Sequence, residues 1–389
     1  MIKAVLLDLD NSMLDHPGPQ FAATFRRAFA QHLEEQTGIK SADSVFHRAI
    51  QKLNGQRDIV SSNDEVMTSS IAADVNVPVS EFQPKLGSLH QSLYGQARSV
   101  ANAAPDAQQL VEALLDQGLA IAVVSNPIYR EAAIVQVLQW AGLGDFIESF
   151  AFLSSSENMH FAKADPAFYA ELIARIGIEP DEALLVGGNR QNDNLPAETV
   201  GLHTWPIENA TALGALLEHV QFAGWQHRYS GRPLRETMLK PQFLGNLGAL
   251  FGLLSEVKEH QWHQKPDPNE WSIVQILCHL ADTETAVHQK RLQKILRVEN
   301  PFIRALPPPG PDMPTCSDRP QEVAEEFREK RLSTLELIAE LGPEDWLRPA
   351  RHSIFGLTNL LEMAYFTAQH DRLHISQLCQ TLGKCLDPI

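Results

Sequence analysis

The sequence is poor in cysteine and has no long apolar segment. Only four of its 389 residues are cysteines, and no two of them form a CxxC pair. They are Cys278, Cys316, Cys379 and Cys385. A thiol-rich zinc site or a disulfide framework is therefore not expected, and a reducing cytoplasm is the predicted location. Because no apolar run approaches the roughly 20 residues that span a bilayer, no membrane-spanning helix is expected either.

The chain also lacks an excess of positive charge. It carries 48 acidic and 32 basic residues, which gives a formal net charge of −16 at pH 7. Such a chain repels phosphate groups, so neither nucleic acid nor an anionic membrane surface is an expected partner. Residues Met1–Leu7 show no basic region followed by a long apolar stretch, so no signal peptide is expected.

The chain is long enough for two or three domains, and its 44% hydrophobic residues allow more than one core. Up to about residue 220, short apolar runs that predict buried strands alternate with helical patterns. The runs are Lys3–Leu7, Leu119–Val124, Ser149–Leu153, Ala183–Val186 and His203–Trp205. This alternation predicts an α/β domain with a parallel sheet, over residues 1–220. The helical stretch of about 15–100 is too long for a simple crossover and predicts an inserted cap.

The pattern changes after residue 220. Residues 221–242 are mixed in character and predict a linker, and no strand is predicted after it. Four helical stretches follow, over about Phe243–Glu259, Ser272–Arg297, Pro320–Glu340 and Leu357–Gly383. The proline-rich loop Pro307–Pro311 joins the second stretch to the third. Residues 243–389 therefore predict an all-α four-helix bundle with one long connection.

Reactive side chains stand near the ends of the predicted strands in the first domain. They are Asp8 and Asp10, Ser125 and Asn126, Lys163, and Asp193. Because parallel strands end at the same edge of a sheet, these groups are expected to face one crevice. A carboxylate nucleophile, a second acid, a hydroxyl group and a cation together form a set suited to phosphoryl transfer.

Four segments carry this set: Asp8-Leu9-Asp10-Asn11-Ser12, Ser125-Asn126, Lys163-Ala164-Asp165-Pro166 and Gly187–Asp193. They resemble the four motifs of the haloacid dehalogenase (HAD) superfamily, and the helical insert resembles its type 1 cap. The resemblance implies a Rossmann-like phosphatase of a small phosphorylated metabolite, with the cap choosing the substrate.

The same resemblance implies a role for each matching residue. Asp8 would be the nucleophile and Asp10 the general acid and base. Ser125, Asn126 and Lys163 would bind the phosphoryl group. Asp8, the backbone carbonyl of Asp10, and Asp193 would hold Mg²⁺.

One position departs from the HAD pattern. The superfamily usually has a metal-binding acid directly after the glycine of the last motif, where this chain has Gly188. Ser12 also replaces a more usual threonine. Two interpretations therefore stay open: an active phosphatase with a weaker Mg²⁺ site, or a HAD scaffold that has lost efficient catalysis.

Three histidines form a candidate metal site in the second domain. His370 and His374 are four residues apart in a predicted helix, a spacing that lets both bind one ion. His279 lies among apolar neighbours in another helix, where it can point into the bundle. A polar-face pair and a satisfied core histidine are the alternatives for these residues. If the three meet, they leave positions open for water or substrate.

The surrounding segments, Asn269–Glu284, Phe355–Thr358 and His370–Gln377, resemble the DinB-like superfamily over about residues 243–386. The resemblance implies a four-helix bundle that binds a divalent ion such as Zn²⁺ or Ni²⁺ through His279, His370 and His374. It is compatible with a homodimer. Some members are thiol-dependent transferases, so chemistry confined to this domain is an alternative function. A third is a metal-responsive binding protein in which neither site turns over.

Several other residues of this domain have two interpretations. His352 either lines the metal pocket or lies on the surface, and Asp282 and Glu284 either orient a ligand imidazole or are surface charges. Trp271 is predicted to be a core or cap anchor. The pair Lys290-Arg291 is predicted to be solvated.

Overall fold

The apolar runs of the N-terminal region form strands in the computed structural model of the protein. The structure describes residues 1–10, 12–15, 18–55, 58–84, 98, 101–307 and 319–385, without the side chains of 18–22 and 25. It divides into two compact units, Met1–Arg232 and Pro233–Ile389. Residues 85–97 of the predicted cap, the proline-rich loop after Pro307, and Cys316 lie outside the described residues.

The first unit contains a parallel sheet and a short antiparallel pair. Its strands are β1 Ala4–Asp8, β2 Leu14–Asp15, β3 Asn102–Ala103, β4 Ala120–Val124, β5 Phe152–Leu153, β6 Ala183–Gly187 and β7 His203–Pro206. The sheet order is β5-β4-β1-β6-β7, and Leu6 of β1 pairs with Ala122 on one side and Leu185 on the other. Every residue of β1 and β6 is buried, as expected for strands covered on both faces.

Eight α-helices of the described residues accompany these strands. They are α1 Gly18–Thr37, α2 Ala42–Gly55, α3 Asn63–Asp74, α4 Ala107–Asp116, α5 Glu131–Trp140, α6 Pro166–Ile176, α7 Leu195–Val200 and α8 Leu213–Val220. The first three lie between β2 and β3, which pair antiparallel through Leu14 and Ala103. The inserted helices therefore leave and rejoin the sheet domain at one place, directly after the first strand.

The first unit extends beyond residue 220. Trp225 is fully buried in its core, and Met238 is buried just before the first helix of the second unit. Much of the stretch 221–242 that we expected to be a linker is therefore folded, and the boundary between the units falls at Arg232–Pro233. The mixed composition of that stretch gave no sign that its tryptophan, Trp225, is a core residue of the sheet domain.

The second unit is mainly helical. Its helices are α9 Leu239–Ser255, α10 Ile273–Thr283, α11 Lys290–Arg297, α12 Pro320–Ala339, α13 Pro343–Trp346 and α14 Leu360–Lys384. A π-helical turn, Glu284–Gln289, joins α10 to α11. Apolar residues of α9, α11 and α14, among them Phe243, Leu292 and Ala368, share one core. The predicted helical architecture is confirmed.

The prediction that no strand follows residue 220 is wrong. A small sheet forms from β8 Phe302–Ile303, β9 Pro349–His352 and β10 Gly356–Asn359. The last two make an antiparallel hairpin, and β8 adds to it in parallel through Ile303 and His352. Strands of two to four residues are too short for alternation to show, and one partner is about fifty residues away in the chain, so sequence pattern alone does not reveal them.

Cys278 is disulfide-bonded, although the cysteine pattern predicts no disulfide framework. Among the described cysteines, Cys379 and Cys385 are free. No helix within the described ranges is long and apolar enough to cross a membrane. The cytoplasmic location stays a prediction.

Candidate active site and candidate metal centre

Three segments of the first unit bring their charged side chains together at the end of β1. Asp8 is the last residue of that strand and is 3% exposed. The Lys163 ammonium donates to Asp8 Oδ1 at 2.6 Å and contacts Asp193 Oδ1 at 2.7 Å. Asp193 is fully buried in the π-turn Arg190–Asn194 that follows β6. These three predicted site residues therefore form one contiguous cluster.

The cluster holds more negative than positive charge. Asp193 and Asp10 act on the Asp8 carboxyl group, and the ammonium of Lys163 acts on Asp8 and Asp193, so three acids share one cation in this cluster. Burial raises the pKa of Asp8 to about 8, and Asp193 and Asp10 act in the same direction while Lys163 opposes them. A divalent cation would neutralise the remaining charge, so the residues present fit Mg²⁺.

Two glycines, Gly187 and Gly188, limit which side chains can lie beside Asp193. A Cβ atom on Gly187 would lie 2.9 Å from Asp193 Cβ, so only glycine lets the acid approach the end of β6 this closely. A Cβ atom on Gly188 would lie 3.0 Å from the Ile207 carbonyl oxygen. The position that usually holds a third metal-binding acid therefore has neither the acid nor ready space for a side chain.

Two donors besides Lys163 hold the Asp193 carboxylate. The Asn189 amide donates to Oδ2 at 2.8 Å, and the Tyr169 hydroxyl lies 3.3 Å from Oδ1. Burial raises the pKa of Tyr169 well above its usual range, so the phenol remains a donor. Tyr169 was not among the predicted site residues, because nothing local marks a tyrosine on α6 as a partner of a residue near β6.

Ser125 follows β4 and is fully buried. Its backbone amide donates to Ser154 Oγ at 2.8 Å, but its own hydroxyl has no hydrogen-bond partner among the described residues. A buried hydroxyl without a partner is costly unless a ligand satisfies it, and an anionic oxygen would do so. Ser12, whose hydroxyl lies 3.5 Å from Asp8 Oδ2, adds a second hydroxyl beside the carboxylate.

A cavity of about 720 Å³ opens beside Lys163. Its walls come from α2, from the segment after β4, and from the segment around Lys163. The lining residues are Phe46, Ile50, Asn54, Asn126, Ile128, Ala162, Lys163, Ala164, Asp165, Pro166 and Asn192. The inserted helix α2 therefore faces the candidate catalytic lysine across a space large enough for a small metabolite.

In the second unit, the three predicted ligand histidines meet. His279 on α10 and His370 and His374 on α14 place one nitrogen each within 4.8 Å of the others. The Nε2 atoms of His279 and His370 are 3.2 Å apart. A tetrahedral ion with metal–nitrogen bonds of about 2.0–2.1 Å holds its ligand nitrogens about 3.4 Å apart, which is close to this distance.

The ring protons of two ligands are directed away from the shared centre. Nδ1 of His374 donates to the Gln377 amide oxygen at 2.8 Å, which leaves its Nε2 free to bind an ion. Nδ1 of His370 lies 3.4 Å from Nε2 of His288, a residue that was not in the predicted set. His288 Nδ1 lies 3.2 Å from the Thr367 hydroxyl, which donates to the Met363 carbonyl.

These contacts assign one direction to the protons. Because the Thr367 hydroxyl donates its only proton to the Met363 carbonyl, it accepts from Nδ1 of His288. Nε2 of His288 then accepts from Nδ1 of His370, and Nε2 of His370 carries the free lone pair. The chain of hydrogen bonds thus orients one ligand histidine for metal binding.

The three predicted ligand histidines have lowered pKa values. Burial lowers the pKa of His279 to about 4 and that of His370 to about 3; His374 adds to the effect at both, and His279 adds to it at His370. Burial also lowers the pKa of His374. Neutral imidazole is the form that binds divalent metal ions, so the donor set fits an ion such as Zn²⁺ or Ni²⁺.

A buried ionic network connects α12 to α14 and to the π-turn Glu284–Gln289. Arg331 on α12 is fully buried and contacts both Glu284 and Asp371, the latter the neighbour of His370. Glu284 is therefore neither a surface charge nor a partner of a ligand imidazole, while Asp282 is exposed. Trp271 is 9% exposed, with its ring 5.0 Å from that of His279 and stacked at 6.0 Å on that of His374.

Each of the two units matches the model of a known protein family. Residues 2–197 match the family model of haloacid dehalogenase-like hydrolases, and residues 242–378 match that of the DinB superfamily. The chain therefore belongs to the haloacid dehalogenase-like hydrolases and carries a DinB superfamily domain.

Similar proteins of known name cover about half of this chain. A phosphoglycolate phosphatase of Nitrosospira multiformis is 26% identical over 53% of this chain and 83% of its own length. A ribulose-1,5-bisphosphate 5-phosphatase of Halopiger xanaduensis is 25% identical over 52% and 84%. The crystal structure of a 2-haloacid dehalogenase from Pseudomonas syringae has 20% identity, covers 56% of this chain and 99% of its own, and has a TM-score of 0.40.

Proposed function

We propose that the first unit is a phosphatase of a small phosphorylated metabolite. The observation that carries the proposal is the Lys163 ammonium, which contacts Asp8 at 2.6 Å and Asp193 at 2.7 Å beside the cavity. A carboxylate nucleophile is thus held next to a cation that can neutralise phosphoryl oxygens. The phosphatase names of the similar proteins support the same reaction class.

The reaction follows from these positions. Asp8 attacks the phosphorus atom, the bond from phosphorus to the ester oxygen breaks, and Asp10 gives the leaving oxygen its proton. Asp10 then takes a proton from water, which attacks the aspartyl phosphate and releases phosphate and free Asp8. Lys163 and the Ser125 hydroxyl hold the phosphoryl oxygens throughout, and Asn126 extends this contact into the cavity.

Mg²⁺ is the cofactor that we propose for this site. Asp8, the Asp10 carbonyl and Asp193 would hold it, and when bound it neutralises charge on the transferred phosphoryl group. Because Gly188 removes one carboxylate, we expect weaker Mg²⁺ binding than a site with three acids would give. The carboxyl groups of Asp8 and Asp193, both held against Lys163, favour retained activity over a scaffold without catalysis.

The cavity favours a substrate with one phosphate and a compact neutral body. Its described lining combines apolar side chains with the amides of Asn54, Asn126 and Asn192, and Lys163 is the cation within it. The amides suit hydroxyl or carbonyl groups of the metabolite. Helix α2 supplies Phe46, Ile50 and Asn54, so the inserted helices would select the substrate.

The test is turnover by Asp8→Asn. We expect wild-type protein with Mg²⁺ to hydrolyse members of a panel of small phosphate esters, and Asp8→Asn to lose at least about a thousandfold in kcat, because the nucleophile is gone. Phosphate release is the measurement. No turnover by the wild type across the panel, or equal turnover by the variant, would refute the proposal.

A matched variant distinguishes the role of Asp10 from that of Asp8. Asp10→Asn keeps the nucleophile, so p-nitrophenyl phosphate should still give a burst of one p-nitrophenolate for each chain before turnover stalls. The leaving group needs no proton, but water attack on the aspartyl phosphate does need the missing base. Rapid-quench measurement detects the burst, and its absence would remove Asp10 from the proposed role.

We further propose that the second unit binds a Zn²⁺ or Ni²⁺ ion through His279, His370 and His374. The supporting observation is that these three donors are neutral and lie within 4.8 Å of one another. Purified wild-type protein should contain about one equivalent of metal for each three-histidine site, whereas His370→Ala/His374→Ala should contain almost none. Elemental analysis after dialysis decides this, and undiminished metal in the double variant would contradict the ligand assignment.

A further inference from the structure

We propose that an anion-binding subsite, formed by Arg291 and His352, adjoins the three-histidine centre and binds the carboxylate or phosphate of a small organic ligand. The subsite rests on the proposed metal function in one respect only, since we assign its ligand to that centre. Its two protein groups come from different elements, α11 and β9, neither of which carries a predicted metal ligand.

Arg291 is a cation without an acceptor among the residues that the structure describes. We expected the pair Lys290-Arg291 to be solvated, and Lys290 is exposed, but Arg291 is half-buried. In the described part of the chain no hydrogen bond or ion pair engages its guanidinium, whereas the buried Arg331 has both Glu284 and Asp371. Burial lowers the pKa of Arg291, as it does for a charge that lacks a counter-ion. A half-buried unpaired guanidinium is a group that an anionic ligand would satisfy.

His352 is a buried donor without an acceptor in the described part of the chain. It is 4% exposed, and its Nδ1 faces the Ile354 and Phe355 backbone amides at 3.3 and 3.4 Å. Because both amides donate, Nδ1 is the acceptor and the ring proton is on Nε2. Nε2 is buried and has no partner among the described residues. The neutral ring therefore offers one N–H group that protein does not satisfy.

Both groups lie close to the metal centre. Arg291 is three residues after His288, and His288 Nε2 is 3.4 Å from His370 Nδ1. On the other side, the Phe355 ring stacks on His352 at 4.4 Å and contacts the Phe366 ring at 4.8 Å. Phe366 is one helical turn before His370 on α14.

The positive charge of Arg291 acts on the histidines at each of these positions. It lowers the pKa of His288, of His370 and of His352, although burial is the larger cause at all three. The guanidinium is thus near the hairpin histidine and the metal-site histidines together. A ligand anion bound there would have its remaining atoms next to the open positions of the metal ion.

The surroundings indicate the kind of ligand. Glu284 and Asp371, the buried acids of the neighbouring elements, are already paired with Arg331 and do not neutralise Arg291. Ile354 and Phe355 at the tip of the hairpin are exposed and apolar. A charged donor, a neutral donor and an apolar edge fit a small organic anion with an aromatic or aliphatic body.

Benzoate and benzamide form a matched pair of probes, because they share a ring and differ in charge. We expect wild-type protein to bind benzoate about tenfold more tightly than benzamide, as a charge-assisted hydrogen bond to arginine would give. Arg291→Gln should abolish this preference, Arg291→Lys should retain part of it, and the neighbouring control Lys290→Gln should retain all of it. Ligand-observed NMR titration measures each affinity, and competition by inorganic phosphate shows whether phosphate or carboxylate is preferred.

Two results would overturn the subsite: equal binding of benzoate and benzamide by wild-type protein, or an unchanged preference in correctly folded Arg291→Gln. The same titration in His370→Ala/His374→Ala separates the subsite from the metal site. An Arg291-dependent preference that persists in that variant supports the subsite even if no metal is bound. A preference that disappears there but survives in Arg291→Gln assigns benzoate to the metal ion alone and refutes the proposal.

Discussion

His288 contacts a proposed metal ligand and is not itself one of the three proposed ligands. Its two ring nitrogens connect Nδ1 of His370 at 3.4 Å to the Thr367 hydroxyl at 3.2 Å. A partner of this kind fixes the tautomer and the ring orientation of a metal-binding histidine. The imidazole of His370 therefore meets an incoming ion with its lone pair already in place.

Removing this partner should weaken metal binding without removing a ligand. We expect His288→Ala to bind Zn²⁺ about 10- to 100-fold less tightly, because the His370 ring loses its acceptor. Competition with a chromophoric chelator measures the affinity. Thr367→Val should show a smaller loss, and the exposed control His263→Ala none. An unchanged affinity in His288→Ala would mean that other contacts orient His370.

The residues that sequence pattern identified are those whose positions follow from local rules. Asp8, at the end of a strand, and the His370–His374 pair, one helical turn apart, lie where such rules put them. His288 does not follow such a rule. It is nine residues after His279, so an uninterrupted α-helix would place it about 180° away, on the opposite face. Only the π-turn Glu284–Gln289 changes that register.

At the scale of elements, the N-terminus of α3 holds the segment that leads to Lys163. The Asn63 and Asp64 amides donate to the Met159 and Ser156 carbonyls at 2.8 and 2.7 Å. These are amides that a helix leaves without internal partners. Arg130 also binds both carboxylate oxygens of Asp64. An inserted helix thus fixes the same segment that positions Lys163, the proposed catalytic lysine.

The Arg130–Asp64 ion pair should therefore matter for catalysis as well as for stability. The two side chains are 16% and 10% exposed, so removing one leaves the other largely desolvated. We expect Asp64→Asn and Arg130→Gln each to lower kcat/KM by about five- to thirtyfold, as the loss of 1–2 kcal/mol would.

A double-mutant cycle shows whether the pair acts as a unit. Asp64→Asn/Arg130→Gln should be no worse than either single variant in kcat/KM and in urea denaturation. Arg48→Gln is the control, since its pair with Asp74 on α3 is much more exposed. Additive effects in the cycle would show that the two residues act independently.

Elements differ in how visible they are in the sequence. The strands β1, β4 and β6 are continuous apolar runs, and α14 carries a sustained helical pattern, so their prediction needed only periodicity. The π-turn and the small sheet of the second unit depend on contacts between distant segments. Ile303, for example, pairs with His352. No local feature of Phe302–Ile303 distinguishes it from a loop.

At the scale of the whole molecule, the chain consists of two units, each with its own apolar core. All three proposed ligands of the transition metal belong to the second unit, on α10 and α14. The proposed Mg²⁺ and phosphate site belongs wholly to the first. Each ligand should therefore stabilise the unit that binds it.

Calorimetry of the full chain tests this division. We expect two unfolding transitions. The Tm of one of them should fall by about 10 °C when a chelator removes the transition metal. An ion at about a thousand times its Kd contributes about 4 kcal/mol to the unit that binds it, and each kcal/mol shifts Tm by about 2–4 °C. Mg²⁺ with inorganic phosphate should raise only the other transition.

The variant His370→Ala/His374→Ala provides the control, because its scan should no longer respond to the chelator. Asp8→Asn should leave the metal-dependent transition where it is and alter only the response to Mg²⁺ with phosphate. One cooperative transition that moves as a whole with either ligand would contradict the separation, since it would require the two cores to unfold together. Two transitions that respond separately would mean that each site can be engineered without disturbing the other.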